Sequence, residues 1–77
     1  MEYTIYNESL VYYTLRNKDG YVCFIGGTYR ILHDMKYIVF FSSVQEAKDF
    51  IEEFKDVYTN LQIRKVKVID IGETDEI

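Results

Sequence analysis

Residues 40–58 contain the only clear helical period in this chain, and that limits the architectures open to it. Ala47, Phe50, Ile51, Phe54 and Tyr58 recur at the spacing that stacks side chains into one stripe of a helix. Glu46, Lys48, Asp49, Glu52, Glu53, Lys55 and Asp56 fall mostly off that stripe. Ser43, followed three residues later by Glu46, reads as a capping box, in which the glutamate reaches back to the cap. The spacing predicts a helix over about 43–56, ended by Thr59-Asn60, where asparagine suits a left-handed cap. The rest of the chain reads as strand or turn. Seventy-seven residues make one domain, so the predicted fold is α+β: an antiparallel sheet of four to five strands with a single helix packed on one face. Segments 1–8 and 72–77 are expected to fray, with residues 1–9 open as either a short strand or a loose terminus.

The clearest hairpin lies at 10–26. Leu10 to Arg16 and Tyr21 to Ile25 are rich in β-branched and aromatic residues and flank Asn17-Lys18-Asp19-Gly20. A three-residue loop with a bulge at Gly20 sets Asn17 opposite Tyr21 and Leu15 opposite Cys23. In that register Val11, Tyr13, Leu15, Tyr21, Cys23 and Ile25 face the helix, while Leu10, Tyr12, Thr14, Arg16, Val22 and Phe24 face away. Gly26-Gly27 permits a bend or bulge. Residues 28–41 read equally as one interrupted strand or two. In the closing strand, Leu61 to Ile71, Leu61 and Ile63 share a parity, Val66 and Val68 take the opposite one, and Ile69 and Ile71 return to the first, which predicts a bulge near Arg64-Lys65.

One helix covers one face of a sheet. The away-facing set Tyr12, Thr14, Arg16, Val22 and Phe24 is too apolar for a face left in water, and it is expected to be a partner-binding surface. The small size also leaves a homodimer open.

Composition argues against most enzymes. The lone Cys23 cannot form an intrachain disulfide and sits mid-strand, where cysteine behaves as a small hydrophobe. His33-Asp34 is the only His–carboxylate adjacency, and neighbours in a strand point to opposite faces, so Asp34 orients His33 poorly. Gly26-Gly27-Thr28 lacks the spacing of a phosphate loop and does not open the helix. No catalytic residue, metal site or cofactor is expected. No apolar run approaches the roughly 20 residues that span a bilayer, and the opening residues lack the pattern of a signal peptide. Cytoplasmic placement is the expectation.

The charges offer two further surfaces. Asp49, Glu52, Glu53 and Asp56 form an acidic strip on the helix, suited to steering a basic partner. Arg64, Lys65 and Lys67, interleaved with Val66, are the minimum for a nucleic-acid platform, and equally for a lysine-guarded sheet edge. A net charge of −4 disfavours nucleic acid as the partner.

The hairpin around Asn17–Gly20, the run Phe40-Phe41-Ser42-Ser43 leading into a helix, and the basic strand from Ile63 to Val68 together resemble the short accessory proteins of phages of low-GC Gram-positive bacteria. The resemblance covers about residues 10–70. It implies a non-enzymatic protein that binds a host protein, such as a defence nuclease complex, in the manner of anti-CRISPR-like inhibitors, and it assigns no functional residue. The expected function is therefore occlusion of a host protein surface. The alternatives are a small nucleic-acid-binding module on the basic strand, or a homodimeric small-molecule binder.

Overall fold

The computed structural model describes residues 9–69 and Gly72. Four strands form one antiparallel sheet in the order β3-β2-β1-β4: β1 Ser9–Asn17, β2 Gly20–Ile25, β3 Thr28–Leu32 and β4 Gln62–Ile69. A 3-10 turn, Met35–Tyr37, and one helix, α1 Val44–Glu53, lie between β3 and β4. The α+β architecture matches the sequence reading. The segments 1–8 and 72–77, expected to fray, lie outside the described residues apart from Gly72.

The two hairpins differ, and their turns explain why. Between β2 and β3, Gly26 and Gly27 both take positive φ, +60° and +80°. Such a turn matches the right-handed twist of the strands, and β2 and β3 stay paired from Ile25–Thr28 to Tyr21–Leu32. Between β1 and β2 the loop is Lys18-Asp19, and Asn60 is the only non-glycine residue with positive φ among the described residues. A two-residue turn without positive φ splays its strands. β1 and β2 pair only at Asn17–Gly20 and Arg16–Tyr21, then separate.

The fork is filled by residues 38–41. Ile38 bridges to Cys23 and Phe41 to Tyr13. Val39 N–H donates to the Val22 carbonyl at 3.0 Å, and Tyr13 and Phe41 exchange two backbone bonds of 2.9 and 2.7 Å. Residues 28–41 are thus one true strand, a 3-10 turn and a short extended wedge.

This register corrects the expected faces. Arg16, not Asn17, lies opposite Tyr21, and a slip of one residue moves every side chain of β2 to the other face. Leu15 and Val22 are fully buried together with Ala47 and Phe50 in the core under α1. Cys23 lies on the far face, beside Ile38. β4 pairs with β1 without interruption from Ser9–Ile69 to Arg16–Gln62, so the bulge expected near Arg64-Lys65 is absent.

The helical stripe packs as its spacing requires. Phe50 is the hub of an aromatic cluster, with ring centroids 5.0 Å from Tyr29, 5.5 Å from Phe41 and 4.4 Å from Phe54. Such ring pairs add roughly 0.5–1.5 kcal/mol each beyond area burial. The Tyr58 hydroxyl donates to the Tyr29 carbonyl at 3.0 Å, tying the end of the helical region to β3. Ser43 caps α1 by accepting from Glu46 N–H at 3.1 Å. The Glu46 carboxylate reaches one residue further back than a capping box requires, accepting from the Ser42 N–H at 2.9 Å and hydroxyl at 2.8 Å. The helix stops at Glu53 with Phe54 as its cap. Asn60, with φ +58°, redirects the chain into β4 rather than capping the helix.

Two outcomes follow from these contacts. At Gly20, with φ +135°, a Cβ would collide with the Leu32 carbonyl group. Gly20→Ala should lower stability by roughly 3 kcal/mol in urea denaturation, and a loss under about 0.5 kcal/mol would contradict that contact. Hydrogen bonds from Ser42 hold the Glu46 carboxyl below its ordinary value of 4.5. The stability this adds is complete above that ordinary value and fades as pH falls through the lower folded-state value. Glu46→Gln should therefore lose less stability than the parent as pH falls below 4.5, measured by denaturation at each pH.

Candidate interaction surface

The parity switch in β4 has a simple cause once the faces are known. Near the hairpin end α1 covers the sheet, and Leu61 and Ile63 join its core. Toward the other end two of the apolar side chains of β4 change sides, while Ile69 keeps the helix side. Val66 lies opposite Tyr12 and Val68 opposite Leu10, on the face turned away from α1.

That far face is half covered by the chain itself. Residues 34–38 close over Cys23, which is fully buried and whose thiol donates to the Asp34 and Tyr21 carbonyls, both at 3.4 Å. Ile38 and Thr14 are also buried there. Beyond this cover an apolar strip is open to solvent. Leu10 is 49% exposed, Phe40 51% and Val68 41%, with Tyr12 and Val66 half-buried between them. The rings of Tyr12 and Phe40 meet edge to face at 5.9 Å. β1 is paired with β4 along this strip, but its other edge, from Ser9 to Tyr12, lies beyond the wedge that ends at Phe41.

The residues expected to form one partner surface divide. Tyr12, Thr14 and Arg16 do lie on the far face, but Thr14 is buried. Val22 is in the core, and Phe24 lies on the helix side, its ring 4.9 Å from Tyr29. Leu10 lies on the far face as its register position predicts, and Phe40, Val66 and Val68 join it there without having been expected. The signal was present as the switch of parity after Ile63, which was assigned to a bulge instead.

The charged groups also separate. Asp49, Glu52, Glu53 and Asp56 are exposed on the helix side, with the sheet between them and the apolar strip. Asp49 accepts from the Gln45 amide at 2.9 Å, and Glu52 pairs with Lys55 at 2.9 Å. Arg64 pairs with Thr14 on the far face, whereas Lys65 and Lys67 stand opposite Tyr13 and Val11 on the helix side. The three cations thus do not form one platform.

The groups with reactive chemistry are dispersed. Burial pushes the Cys23 thiol up, aided by the negative charge of Asp34 and opposed by a hydrogen bond from the Leu32 backbone. This suppresses the thiolate that nucleophilic chemistry needs. His33 is exposed, and the contact Cys23 makes nearby is to the backbone of Asp34. Among the described residues no three His, Cys, Asp or Glu side chains converge to hold a metal ion, and no helix is long and apolar enough to cross a membrane.

No known family, curated protein or solved structure matches this chain.

The Thr14 hydroxyl is buried without a hydrogen-bond partner among the described residues. Such an orphan costs about 1–3 kcal/mol. Thr14→Val keeps the shape and removes the orphan, so it should raise the denaturation midpoint by the equivalent of about 1 kcal/mol. A lowered midpoint would show that the hydroxyl has a partner in solution.

Proposed function

We propose that this protein acts as a small non-enzymatic binding protein, and that its contact surface is the strip Leu10, Tyr12, Phe40, Val66 and Val68. One observation carries this reading. β4 turns its valines away from the helix where the helix no longer covers the sheet, and meets there an exposed phenylalanine and leucine. A chain that needed only a one-sided sheet would keep polar residues at these positions. Contiguous apolar surface rimmed by polar groups is the signature of an interface, and Tyr and Phe are enriched at interface centres.

In this reading the partner is a host protein, and the mechanism is occlusion of its surface by shape and aromatic contact. The resemblance to phage accessory proteins points to a defence complex as the target. The acidic groups of α1 lie across the sheet from the strip, so they set the long-range field and make no contact at the interface. The same strip also suits a second copy of the chain, and a homodimer would use the surface offered to the partner. The basic-strand alternative is weaker, because its cations stand on two faces and the net charge is −4.

The decisive comparison is between the parent and a Tyr12→Ser/Phe40→Ser protein, with Val57→Ser as control. Val57 is 67% exposed outside the strip. Capture from a host lysate should be lost for the double variant and kept for the control, with circular dichroism unchanged in both. Light scattering reads self-association in the same samples. A partner held equally by parent and double variant would refute the assignment of this strip.

A further inference from the structure

The end of the molecule at the first hairpin carries a different feature. Arg16, Asn17, Lys18, Asn60 and Gln62 line an open hollow of about 270 Å³. Two cations and three carboxamides converge there, and Asp19, next in the turn, does not line it. In a chain with net charge −4 this is a local reversal of sign. Neither Arg16 nor Lys18 takes part in an ion pair among the described residues, where Lys55–Glu52 is the only one.

Four of the five lining residues are positioned by contacts or backbone geometry that leave donors to spare, and Lys18 stands in the exposed turn. Asn17 Nδ2 spends one N–H on the Thr59 carbonyl at 3.0 Å, and its Oδ1 accepts from Asp19 N–H at 2.8 Å. This fixes the carboxamide and leaves the second N–H free. Asn60 is set by its left-handed backbone. Arg16 and Gln62 are direct cross-strand partners at the closed end of β1 and β4. The Arg16 guanidinium lies 5.5 Å from the centre of the Tyr21 ring, which orients it without neutralising it.

We infer that this hollow is an anion site that takes a phosphate group. Two positive charges, one of them oriented over the Tyr21 ring, match the charge of a phosphate monoester or free phosphate near neutral pH. Guanidinium and amide N–H groups supply the array of donors that its oxygens need. The volume falls just below the roughly 300–1,000 Å³ of pockets that enclose drug-sized ligands. The hollow is open on the solvent side, so a group attached to the phosphate extends outward into water. The site lies at the hairpin end, away from the apolar strip, and its existence is independent of the binding role proposed above.

The test is a titration of the full isotopically labelled chain with inorganic phosphate, followed by NMR at constant ionic strength. Saturable shifts confined to residues 16–18 and 59–62 are expected. Lys18→Ala, in an exposed turn, should weaken binding by roughly fivefold, and Arg16→Ala should do the same. Lys48→Ala on the helix should leave the affinity unchanged. A nucleoside diphosphate added in the same way distinguishes the source. Equal affinity marks capture of phosphate alone, and tighter binding marks a nucleotide. Shifts that fail to saturate, or that are as large at Lys48 and Lys55, would overturn the assignment. So would unchanged affinity in the Lys18→Ala protein.

Discussion

The divergence of β1 from β2 is the constraint on which the rest of this structure depends. It arises in two residues, Lys18 and Asp19, whose backbone stays at negative φ. A turn of that kind twists against the strands it joins, so the ladder opens after two pairs. The unpaired backbone of the fork, where Thr14, Leu15, Val22 and Cys23 are buried, must then find partners, because unpaired buried peptide groups are costly. Residues 38–41 supply them, bonding to both arms. Asn17 reinforces the closed end by holding the Asp19 amide and the Thr59 carbonyl.

Placing the wedge in the fork brings two layers into register. On one side Phe41 reaches Phe50, and the ring cluster of Tyr29, Phe50, Phe54 and Tyr58 forms the core beneath α1. On the other side the chain leading into the wedge lies across Cys23 and buries it. A chain of this length has no disulfide to stabilise it, and Cys23 is a free, buried thiol. Aromatic packing on one face and the covering segment on the other take that part.

The cover stops short of the open end of the sheet. There the β1–β4 ribbon carries apolar residues on the face without a helix, and these form the surface assigned to binding. The positive hollow occupies the opposite end, at the closed turn. The molecule thus separates an exposed apolar strip from a cluster of cations, with the acidic groups of α1 on a third surface. Cys23 is buried under the covering segment, whereas His33 is exposed.

Much of the fold was legible in the chain. The stripe Ala47, Phe50, Ile51, Phe54 and Tyr58 determined one helix and its buried side, because a period of 3.6 leaves no other face. The hairpin segments and the final strand were readable from β-branched and aromatic runs. Local patterns did not decide the register. Placing Asn17 opposite Tyr21 or opposite Gly20 is a choice of one residue in a turn, and it reverses the side of Val22, Cys23 and Phe24. Only the tertiary structure settled it, because the competing faces differ in what covers them: α1 for Val22, the segment around Ile38 for Cys23. For the same reason the apolar strip was hidden. The switch of parity in β4 is visible in the sequence, but whether it means a bulge or a change of covered face depends on where the helix ends above the sheet, and that is a matter of three-dimensional packing.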